Sequence, residues 1–416
     1  MKLIAPKGLL KGEVELPISK SIANRYLIIA ALGSKNVMLN LFQHLSKGTG
    51  SQTLKQFQGD ALSNFPEDVR VLFDTLSSNS SEINIGMAGT AMRFLTAFYS
   101  VQEGKEVVLT GNERMKQRPI GELVEALRLL GTEIDYVETE GFPPLRINGR
   151  KLKGGEIEVS ASISSQFVSA LMMIGPKLEN GLRLKLNGKV LSKPYIELTA
   201  ECMRNCGAVV KMESDSIQIS KGNYSVPQLD MESDWSAASY FYALAAAKPN
   251  SKLLLKGLKL DSPQGDSVLA EWFEKMGVPS IQKENGVEIS SSDELNFPSE
   301  LDFTANPDLA QTFAFLAAAL GKTLHLTGLD NLRLKETDRI FALQNELKKL
   351  GVNVFVDGNT MTISGSISVK KATIKTYNDH RMAMGAAVLS TVIPVDIDNP
   401  EVVAKSFPNF WAAISS

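Results

Sequence analysis

Lysine and arginine side chains recur at places in the sequence where a helix is predicted to begin. Lys20, Arg93 and Arg381 each lie close to such a start, with a serine, threonine or aspartate nearby. A helix N-terminus presents unpaired N–H groups and a partial positive charge, so it attracts anions and disfavours a neighbouring cation. The pattern therefore predicts that each cation shares a phosphate or carboxylate group with the helix end.

Further cations follow the turns that end several predicted strands. They lie in RMKQRP (residues 114–119), in KETDR (335–339) and at Lys405 in AKSFP. A single polar helix start is more often a plain cap, and a single charged turn is more often solvated surface. Recurrence at equivalent positions favours a site that gathers lysines and arginines with a few carboxylates. Such a site suits substrates rich in phosphate and carboxylate groups.

The predicted elements follow an internal repeat of about 70 residues. In one series, a strand ending in LTG, LNG or LKG precedes a helix that stops at a glycine: Gly131, Gly207, Gly277 and Gly351. A second series consists of helices rich in Ala, Gly and Ser, which are predicted to be buried. These helices begin near Ser19, Gly89, Ser164, Ser233, Asp308 and Asp379. Six such units predict an α/β protein in which equivalent helix starts can converge.

Composition restricts the class of protein further. The chain has 416 residues, enough for two or three domains, and a net charge of −2, which disfavours a nucleic-acid-binding protein. The N-terminal segment lacks the apolar stretch of a signal peptide, and the sequence has no apolar run of membrane-spanning length. The two cysteines, Cys202 and Cys206, fall on one predicted helix and are expected to be buried thiols. A cytoplasmic enzyme that binds no membrane is predicted.

Eight segments together resemble the signature segments of one enzyme family, the 5-enolpyruvylshikimate-3-phosphate (EPSP) synthases. They occur in family order from about residue 18 to residue 408: ISKSIANR, AGTAMRF, LTGNERMKQRPI, SSQF, SKPYI, RLKETDR, YNDHRMAM and AKSFP. The resemblance implies a fold of two similar domains, each with three βαβαββ repeats arranged as an inside-out α/β barrel and joined by a two-strand hinge. It places one domain at 14–229 and the other at 1–13 plus 230–416, with mainly shikimate 3-phosphate bound by the first and phosphoenolpyruvate by the second.

The resemblance also implies two small-molecule substrates and the residues that hold them. Shikimate 3-phosphate would contact Ser21, Arg25, Ser164, Ser165, Gln166, Ser192, Tyr195, Asp308, Asn331 and Lys335. Phosphoenolpyruvate would contact Lys20, Gly89, Arg114, Arg339, His380, Arg381 and Lys405, with Thr90 as a further substrate-binding residue. A side chain at position 89 would crowd the phosphoenolpyruvate pocket, which is also the glyphosate site of the family.

The implied reaction adds the 5-hydroxyl of shikimate 3-phosphate to phosphoenolpyruvate and then eliminates phosphate. It needs a base for the hydroxyl, an acid at C3 and cations for the leaving phosphate. We assign Asp308 as the base and Glu336 as the group that transfers the C3 proton. Lys20 and Lys405 would share proton transfer and neutralise phosphate, and His380 would position Glu336. No metal or organic cofactor is expected, because the substrates supply the electrons and the leaving group.

Three segments depart from the family pattern. Ile18 stands where a glycine is usual, and Met87 stands where a small polar residue is usual. Residues 44–53, HLSKGTGSQT, replace a Ser-Asp-Asp stretch, one aspartate of which normally supports the site. These changes predict a working enzyme whose affinity for phosphoenolpyruvate or response to glyphosate is altered.

Two other functions are compatible with the same scaffold. The sister transferase that acts on UDP-N-acetylglucosamine usually carries a reactive cysteine in a mobile loop, which Cys202 and Cys206 on a helix do not match. A non-catalytic anion-binding protein is the other alternative, motivated by Met87 and the replaced aspartates. The resemblance favours a monomer. Mutual repulsion of the site cations predicts that the protein is open without ligands and closes when anions bind.

Overall fold

The computed structural model describes residues 1–3, 10–33, 65–160, 164–188, 192–229 and 231–415. These residues divide into two compact units. Unit 1 contains the described residues of Met1–Ser19, Asn64–Pro66 and Glu232–Ser416, and unit 2 contains those of Lys20–Ser63 and Glu67–Met231. The predicted domain boundaries were at residues 14 and 229. In the structure, the N-terminal segment belongs to unit 1 as far as Ser19. The reason lies in its strand pairing, described below.

Four repeats are seen in full among the described residues. The elements before the first repeat are β1 (Lys2–Leu3), β2 (Lys11–Glu15), α1 (Lys20–Gly33) and α2 (Glu67–Ser77). The first repeat comprises β3 (Glu82–Asn84), α3 (Gly89–Ser100), β4 (Glu106–Thr110), α4 (Glu113–Lys116), α5 (Gly121–Leu129), β5 (Glu133–Tyr136) and β6 (Leu145–Asn148). The second comprises β7 (Gly155–Ser160), α6 (Ser165–Ile174), β8 (Leu182–Asn187), α7 (Lys193–Asn205), β9 (Val210–Met212) and β10 (Ser216–Ile219).

Unit 1 contains the other two full repeats. The third begins with β2 and continues with α8 (Trp235–Ala247), β11 (Lys252–Lys256), α9 (Leu269–Met276), β12 (Ser280–Lys283) and β13 (Gly286–Ser290). The fourth comprises β14 (Glu300–Asp302), α10 (Ala310–Leu320), β15 (Leu324–Thr327), α11 (Arg339–Lys349), β16 (Asn353–Asp357) and β17 (Thr360–Ser364). The chain then forms β18 (Ala372–Ile374), α12 (His380–Ala386), β19 (Val395–Ile397) and α13 (Phe410–Ala413).

Each full repeat builds a four-stranded sheet with the same strand order. The first two strands are parallel, the fourth lies antiparallel to the second, and the third forms a hairpin at the edge. In the third repeat the first strand is β2, which runs parallel to β11 with Val14 opposite Leu255. This pairing explains why the N-terminal segment belongs to unit 1. A shorter sheet has the order β1-β19-β18.

The two helix series differ in burial as the sequence predicted. Helix α3 buries 11 of its 12 residues and α8 buries 11 of 13, whereas the amphipathic α9 buries only Leu269, Phe273 and Met276 of 8. Small residues permit helices to approach closely on all sides, so the first series is inner and the second is outer. The glycines predicted to stop the outer helices, such as Gly277 with φ of 98°, adopt the left-handed conformation of a C-terminal cap.

The chain leaves and re-enters unit 1 along two adjacent segments. Ile18 and Ser233 form an isolated antiparallel bridge, Ser19 N–H donates to the Glu232 carbonyl at 2.9 Å, and Asp234 N–H donates to the Pro17 carbonyl at 2.9 Å. The segments at which the chain leaves and re-enters unit 1 therefore run side by side. The first leads directly into the inner helix α1 and the second into the inner helix α8.

Candidate active site

Arg339 is the centre of a buried group of carboxylates in unit 1. Its side chain is 1% exposed. Nε donates to Asp379 Oδ2 at 2.8 Å, Nη2 to Glu336 Oε2 at 3.0 Å, and Nη1 to Asp308 Oδ1 at 3.2 Å. Burial alone would lower the pKa of Arg339, but the three carboxylates outweigh it and raise the pKa. The guanidinium is therefore a permanent cation at the start of α11.

Asp308 links this arginine to the first turn of α12. It lies in a 3₁₀ turn, Pro307–Leu309, that leads into α10. Arg381 Nη2 donates to Asp308 Oδ2 at 2.6 Å, and Lys335 Nζ lies 3.9 Å from Oδ1. The sequence predicted that a helix-start cation such as Arg381 needs a shared anion, and the structure shows that a protein carboxylate meets part of that need.

Glu336 has a second cation beside it. Lys405 closes the 3₁₀ helix Pro400–Lys405, and its Nζ lies 3.5 Å from Glu336 Oε1. The side chains are 8% and 10% exposed, respectively. A carboxylate and an ammonium group at this separation can exchange a proton through a substrate or a water placed between them.

Asp379 joins the arginines to the backbone of α12. It is the N-cap of that helix and accepts from the Arg381 N–H at 2.8 Å. His380 Nδ1 lies 3.8 Å from Asp379 Oδ1, and both side chains are buried. The expected contact between His380 and Glu336 stays a prediction.

These residues carry an excess of positive charge. We define the charged cluster as Asp308, Lys335, Glu336, Arg339, Asp379, Arg381 and Lys405. Four cations face three carboxylates, so the cluster attracts an anion even after internal pairing. Little water reaches these groups, and each interaction with a bound anion is correspondingly stronger than at the surface.

A carboxylate that the sequence did not single out supports the turn carrying Asp308. Asp266 is 4% exposed and accepts hydrogen bonds from Ser236 Oγ and from Asn306 Nδ2 at 3.1 Å. Asn306 immediately precedes the 3₁₀ turn of Asp308. Burial, with the nearby Asp308 charge, raises the pKa of Asp266 to about 6. The QGD segment, residues 264–266, offered no sign of this contact.

Lys20 in unit 2 is paired with an acidic residue that the sequence analysis overlooked. Its Nζ lies 3.8 Å from Asp68 Oδ2, with the side chains 15% and 8% exposed. Residues 44–53, where the carboxylate was thought to be replaced, lie outside the described residues. The effect of the replaced stretch stays a prediction, but within the described residues α2 places the carboxylate of Asp68 beside Lys20.

The buried side chain of Arg25 connects three helices of unit 2: its own inner helix α1, the inner helix α6 and the outer helix α7. Nε donates to Thr199 Oγ1 at 2.7 Å, Nη1 to the Ser21 carbonyl at 2.7 Å, and Nη2 to Ser169 Oγ at 3.3 Å and the Tyr195 carbonyl at 3.0 Å. Burial lowers the pKa of Arg25 to about 10, so the side chain stays charged at neutral pH. The guanidinium therefore connects α1, α6 and α7 within unit 2, independently of any contact with a ligand.

Gly89 faces a second arginine that the prediction missed. A Cβ built on Gly89 would lie 2.5 Å from Arg118 Nη1 and 3.0 Å from Cζ, and Arg118 is 7% exposed. The guanidinium of Arg118 therefore packs over the N-terminus of α3. Arg114, the predicted ligand from the same hexapeptide, lies half-buried in α4.

The starts of two inner helices in unit 2 contact each other. Gln166 Nε2 donates to Thr90 Oγ1 at 3.1 Å, which joins α6 to α3. Ser164 is the N-cap of α6 and accepts from the Gln166 N–H, and Ser165 is the first residue of the helix. Two predicted substrate-binding segments, one at each helix start, are thus adjacent within one unit.

The other predicted positions lie at turns and helix ends of both units. Ser192, the N-cap of α7, is a non-glycine residue in the left-handed region, with φ of 53°, and is 5% exposed. Asn331 lies half-buried in the 3₁₀ helix Asp330–Leu334 of unit 1. Met87 is half-buried in the turn before α3, and Ile18 forms the bridge to Ser233.

The cysteines lie where the sequence placed them. Cys202 is in α7 and Cys206 caps its end, with 2% and 0% exposure. Burial raises the pKa of each thiol to about 12. Over the described ranges, no group of three or more His, Cys, Asp and Glu side chains is arranged to hold a metal ion. The helices in the same ranges are all too short or too polar to span a bilayer.

Comparison with known proteins agrees with the resemblance seen in the sequence. The family model for EPSP synthase (3-phosphoshikimate 1-carboxyvinyltransferase) matches residues 4–414. A 3-phosphoshikimate 1-carboxyvinyltransferase of Bacteroides fragilis (strain YCH46) is 44% identical over 417 residues, covering 98% of this chain and 96% of its own. One from Sulfurovum sp. (strain NBC37-1) is 38% identical over 424 residues, covering 99% and 98%.

A solved structure supports the fold. An EPSP synthase from Acinetobacter baumannii superposes with a TM-score of 0.73 at 23% identity, covering 100% of this chain and 97% of that one. At this identity the likeness establishes the architecture, while the curated relatives establish the family. The chain belongs to the EPSP synthase (3-phosphoshikimate 1-carboxyvinyltransferase) family.

Proposed function

We propose that the protein transfers the enolpyruvyl group of phosphoenolpyruvate to the 5-hydroxyl of shikimate 3-phosphate and releases phosphate. The observation that carries this proposal is the charged cluster, in which buried carboxylates and cations alternate within hydrogen-bond reach. Enolpyruvyl transfer needs both an acid–base pair and a concentrated positive charge. The cluster supplies both kinds of group.

The chemistry consists of an addition followed by an elimination. The 5-hydroxyl oxygen attacks C2 of phosphoenolpyruvate, C3 gains a proton, and the hydroxyl loses its own proton. The tetrahedral intermediate then loses phosphate and a C3 proton, which regenerates the double bond on the new ether. No electrons are gained or lost, so the proposed reaction needs no metal or organic cofactor.

Asp308 is suited to accept the hydroxyl proton. Arg339 and Arg381 hold its two oxygens at 3.2 and 2.6 Å, which fixes the orientation of the carboxylate. Its side chain is 19% exposed, whereas Arg339 is 1% exposed. Asp308 is therefore the more accessible partner of the pair.

Glu336 and Lys405 are suited to the proton at C3 and to the leaving phosphate. Arg339 orients one Glu336 oxygen at 3.0 Å, and Lys405 lies 3.5 Å from the other. A proton delivered to C3 in the addition has to be removed again in the elimination. A carboxyl group with an ammonium neighbour can do both, while Lys405 and Arg381 stabilise charge on the phosphate.

Unit 2 contributes a second set of anion-binding groups. Gly89, Thr90 and Lys20 lie at helix starts, and the guanidinium of Arg118 packs over Gly89; N–H groups and side-chain cations there favour phosphate or carboxylate. We propose that an anionic group of phosphoenolpyruvate binds to this set. Shikimate 3-phosphate would use Ser21, Ser164, Ser165, Gln166, Ser192, Tyr195, Asn331 and Lys335, with Arg25 holding their helices.

Phosphate release distinguishes this function from its alternatives. Purified protein is mixed with phosphoenolpyruvate and either shikimate 3-phosphate or UDP-N-acetylglucosamine. Release with shikimate 3-phosphate alone is the expected result. Release with UDP-N-acetylglucosamine alone would identify the sister transferase, and no release with either acceptor, despite binding of phosphoenolpyruvate, would identify an anion-binding protein.

Oligomeric state and location are proposed on family resemblance alone. We propose that the protein acts as a monomer in the cytoplasm. Light scattering at the concentrations used for assays tests the first point, and fractionation of the source cells tests the second.

A further inference from the structure

The turn that leads into α12 has an unfavourable backbone. Tyr377 and Asn378 have φ of 53° and 56°, so two consecutive residues with side chains adopt the left-handed conformation. This region is sterically poor for residues other than glycine, and such a turn persists only where surrounding contacts hold it. The turn stands directly before Asp379 and Arg381 of the charged cluster.

A buried glutamate supplies much of that support. Glu346 on α11 is 0% exposed. Tyr377 donates its hydroxyl to Glu346 Oε1 at 2.6 Å, and the Lys375 N–H donates to Oε2 at 3.1 Å. Lys349 Nζ lies 2.7 Å from both oxygens and is the exposed partner of the carboxylate.

The Tyr377 side chain is well suited to its place between the turn and the helix. Its ring meets Phe341 of α11 edge to face, with 6.5 Å between centroids. Burial raises the pKa of Tyr377 to about 12, so its hydroxyl remains a hydrogen-bond donor throughout the physiological range. Ring and hydroxyl therefore both attach the turn to α11.

Helix α11 holds the chain on both sides of this turn. Arg339 and Glu346 are seven residues apart, close to two full helical turns, so they lie on one face about 10 Å apart along the axis. Glu346 binds residues 375 and 377, and Arg339 binds Asp379 at 2.8 Å. Asp379 accepts from the Arg381 N–H, and Arg381 binds Asp308.

We propose that Glu346 is a positioning residue that acts through Tyr377. It sets where the strained turn sits along α11 and therefore where Arg381 and Asp379 stand relative to Asp308. The inference rests on the proposed function, since it concerns how Arg381 meets the anionic substrate. A displaced turn would weaken binding of phosphoenolpyruvate first, because the charges remain but their spacing changes.

The test uses Tyr377→Phe, which removes one oxygen atom and keeps the ring. The expected result is a KM for phosphoenolpyruvate that rises about tenfold, with a smaller change in kcat and in the KM for shikimate 3-phosphate. Lys349→Met is the matched control, because it removes the exposed partner of the same carboxylate and leaves the turn contacts in place. We expect it to change neither KM more than about twofold.

A double variant shows whether the two residues act together. If Glu346 works through Tyr377, Glu346→Gln combined with Tyr377→Phe raises the KM for phosphoenolpyruvate by less than the product of the separate effects. An unchanged KM in Tyr377→Phe, an equal rise in Lys349→Met, or independent effects in the double variant would overturn the proposal. Thermal unfolding of each variant separates a general loss of stability from this specific effect.

The proposed function is tested separately by the unaltered protein. If that protein releases no phosphate with shikimate 3-phosphate, the proposed function fails. The positioning role is then read from calorimetric titration of phosphoenolpyruvate into the same variants. A dissociation constant that rises in Tyr377→Phe but not in Lys349→Met supports it, and equal constants refute it.

Discussion

Arg339 and Asp379 form an ion pair that is almost inaccessible to water, with Nε 2.8 Å from Oδ2 and side-chain exposures of 1% and 0%. Asp379→Asn leaves a buried guanidinium with one carboxylate fewer, and a buried pair broken in this way costs about 3–5 kcal/mol. We expect that loss in the free energy of unfolding, measured with urea. The exposed pair Glu271–Lys275 gives a control, because Glu271→Gln should cost at most about 1 kcal/mol. Equal stability of the two variants would show that Glu336 and Asp308 alone compensate the buried charge of Arg339.

Asp68 is expected to matter for turnover through its contact with Lys20. Asp68→Asn removes the negative charge 3.8 Å from the ammonium group and frees Lys20 to change rotamer. Misplacement of a reacting group by about 1 Å can cost roughly 100-fold, so we expect a ten- to hundred-fold fall in kcat/KM for phosphoenolpyruvate. Steady-state phosphate release measures it. Glu67→Gln, at the exposed neighbouring position on α2, is the control, and a similar fall in that variant would contradict the assignment.

Gly89→Ala is expected to impair binding of phosphoenolpyruvate more than folding. The new methyl group would lie 2.5 Å from Arg118 Nη1, so the guanidinium has to move. Because the clash involves the flexible end of a side chain, unfolding stability should change little. The KM for phosphoenolpyruvate should rise roughly tenfold or more as the cation leaves its place. Gly222→Ala, where a methyl group meets no atom within 4 Å, should leave KM unchanged. A wild-type KM in Gly89→Ala would remove Arg118 from the proposed site.

Glu336→Gln tests the proton transfer at C3. Glutamine keeps an acceptor for Arg339, whose Nη2 lies 3.0 Å from Oε2, but it cannot donate and accept a proton as a carboxyl group does. General acid–base catalysis contributes roughly 10²–10⁴-fold, so kcat should fall within that range while the KM values change less. Rapid-quench measurement of a single turnover shows whether the chemical step itself is slow. Full turnover in this variant would exclude Glu336 from that role.

The thiols are expected to be unreactive in the folded protein. Their pKa values are raised to about 12 by burial, so at pH 8 only roughly one thiol in 10⁴ is ionised, and thiolate forms appreciably only as the pH approaches 12. Iodoacetamide at pH 8 should leave activity intact and label neither Cys202 nor Cys206. Two labels per chain should appear after unfolding in urea. Rapid labelling with loss of activity would point instead to chemistry like that of the sister transferase.

Much of the fold could be predicted because its signals are local. The spacing of small apolar residues marked the inner helices, and the glycines at 131, 207, 277 and 351 marked the ends of the outer ones. The starts of α3 and α12 fell at the expected residues. These features depend on a few neighbouring residues, so one sequence is enough to show them.

The geometry of the site depends on packing between distant segments, and here the sequence was less informative. Arg114 and Arg118 occupy one hexapeptide, and only the path of the turn shows that Arg118 faces Gly89. Asp68 reaches Lys20 because α2 packs on α1, which no spacing in the sequence reveals. The charges at helix starts were recognised as anion sites, but their pairing with the carboxylate of Asp308 was not.

The pairing of β2 with β11 also affects how the protein is made. Glu15 and Lys256 are 241 residues apart, yet they are joined across neighbouring strands of one sheet. At ribosomal rates of about 5–20 residues per second, β2 waits roughly 10–50 seconds for its partner to be synthesised. Unit 2 is synthesised during that same interval, because its residues lie between β2 and β11 in the chain, so its own segments are complete before β2 can pair. Strand β2, KGEVE, has one buried residue, Val14, among mostly charged ones. This composition keeps the unpaired strand hydrated and disfavours aggregation through its exposed edge.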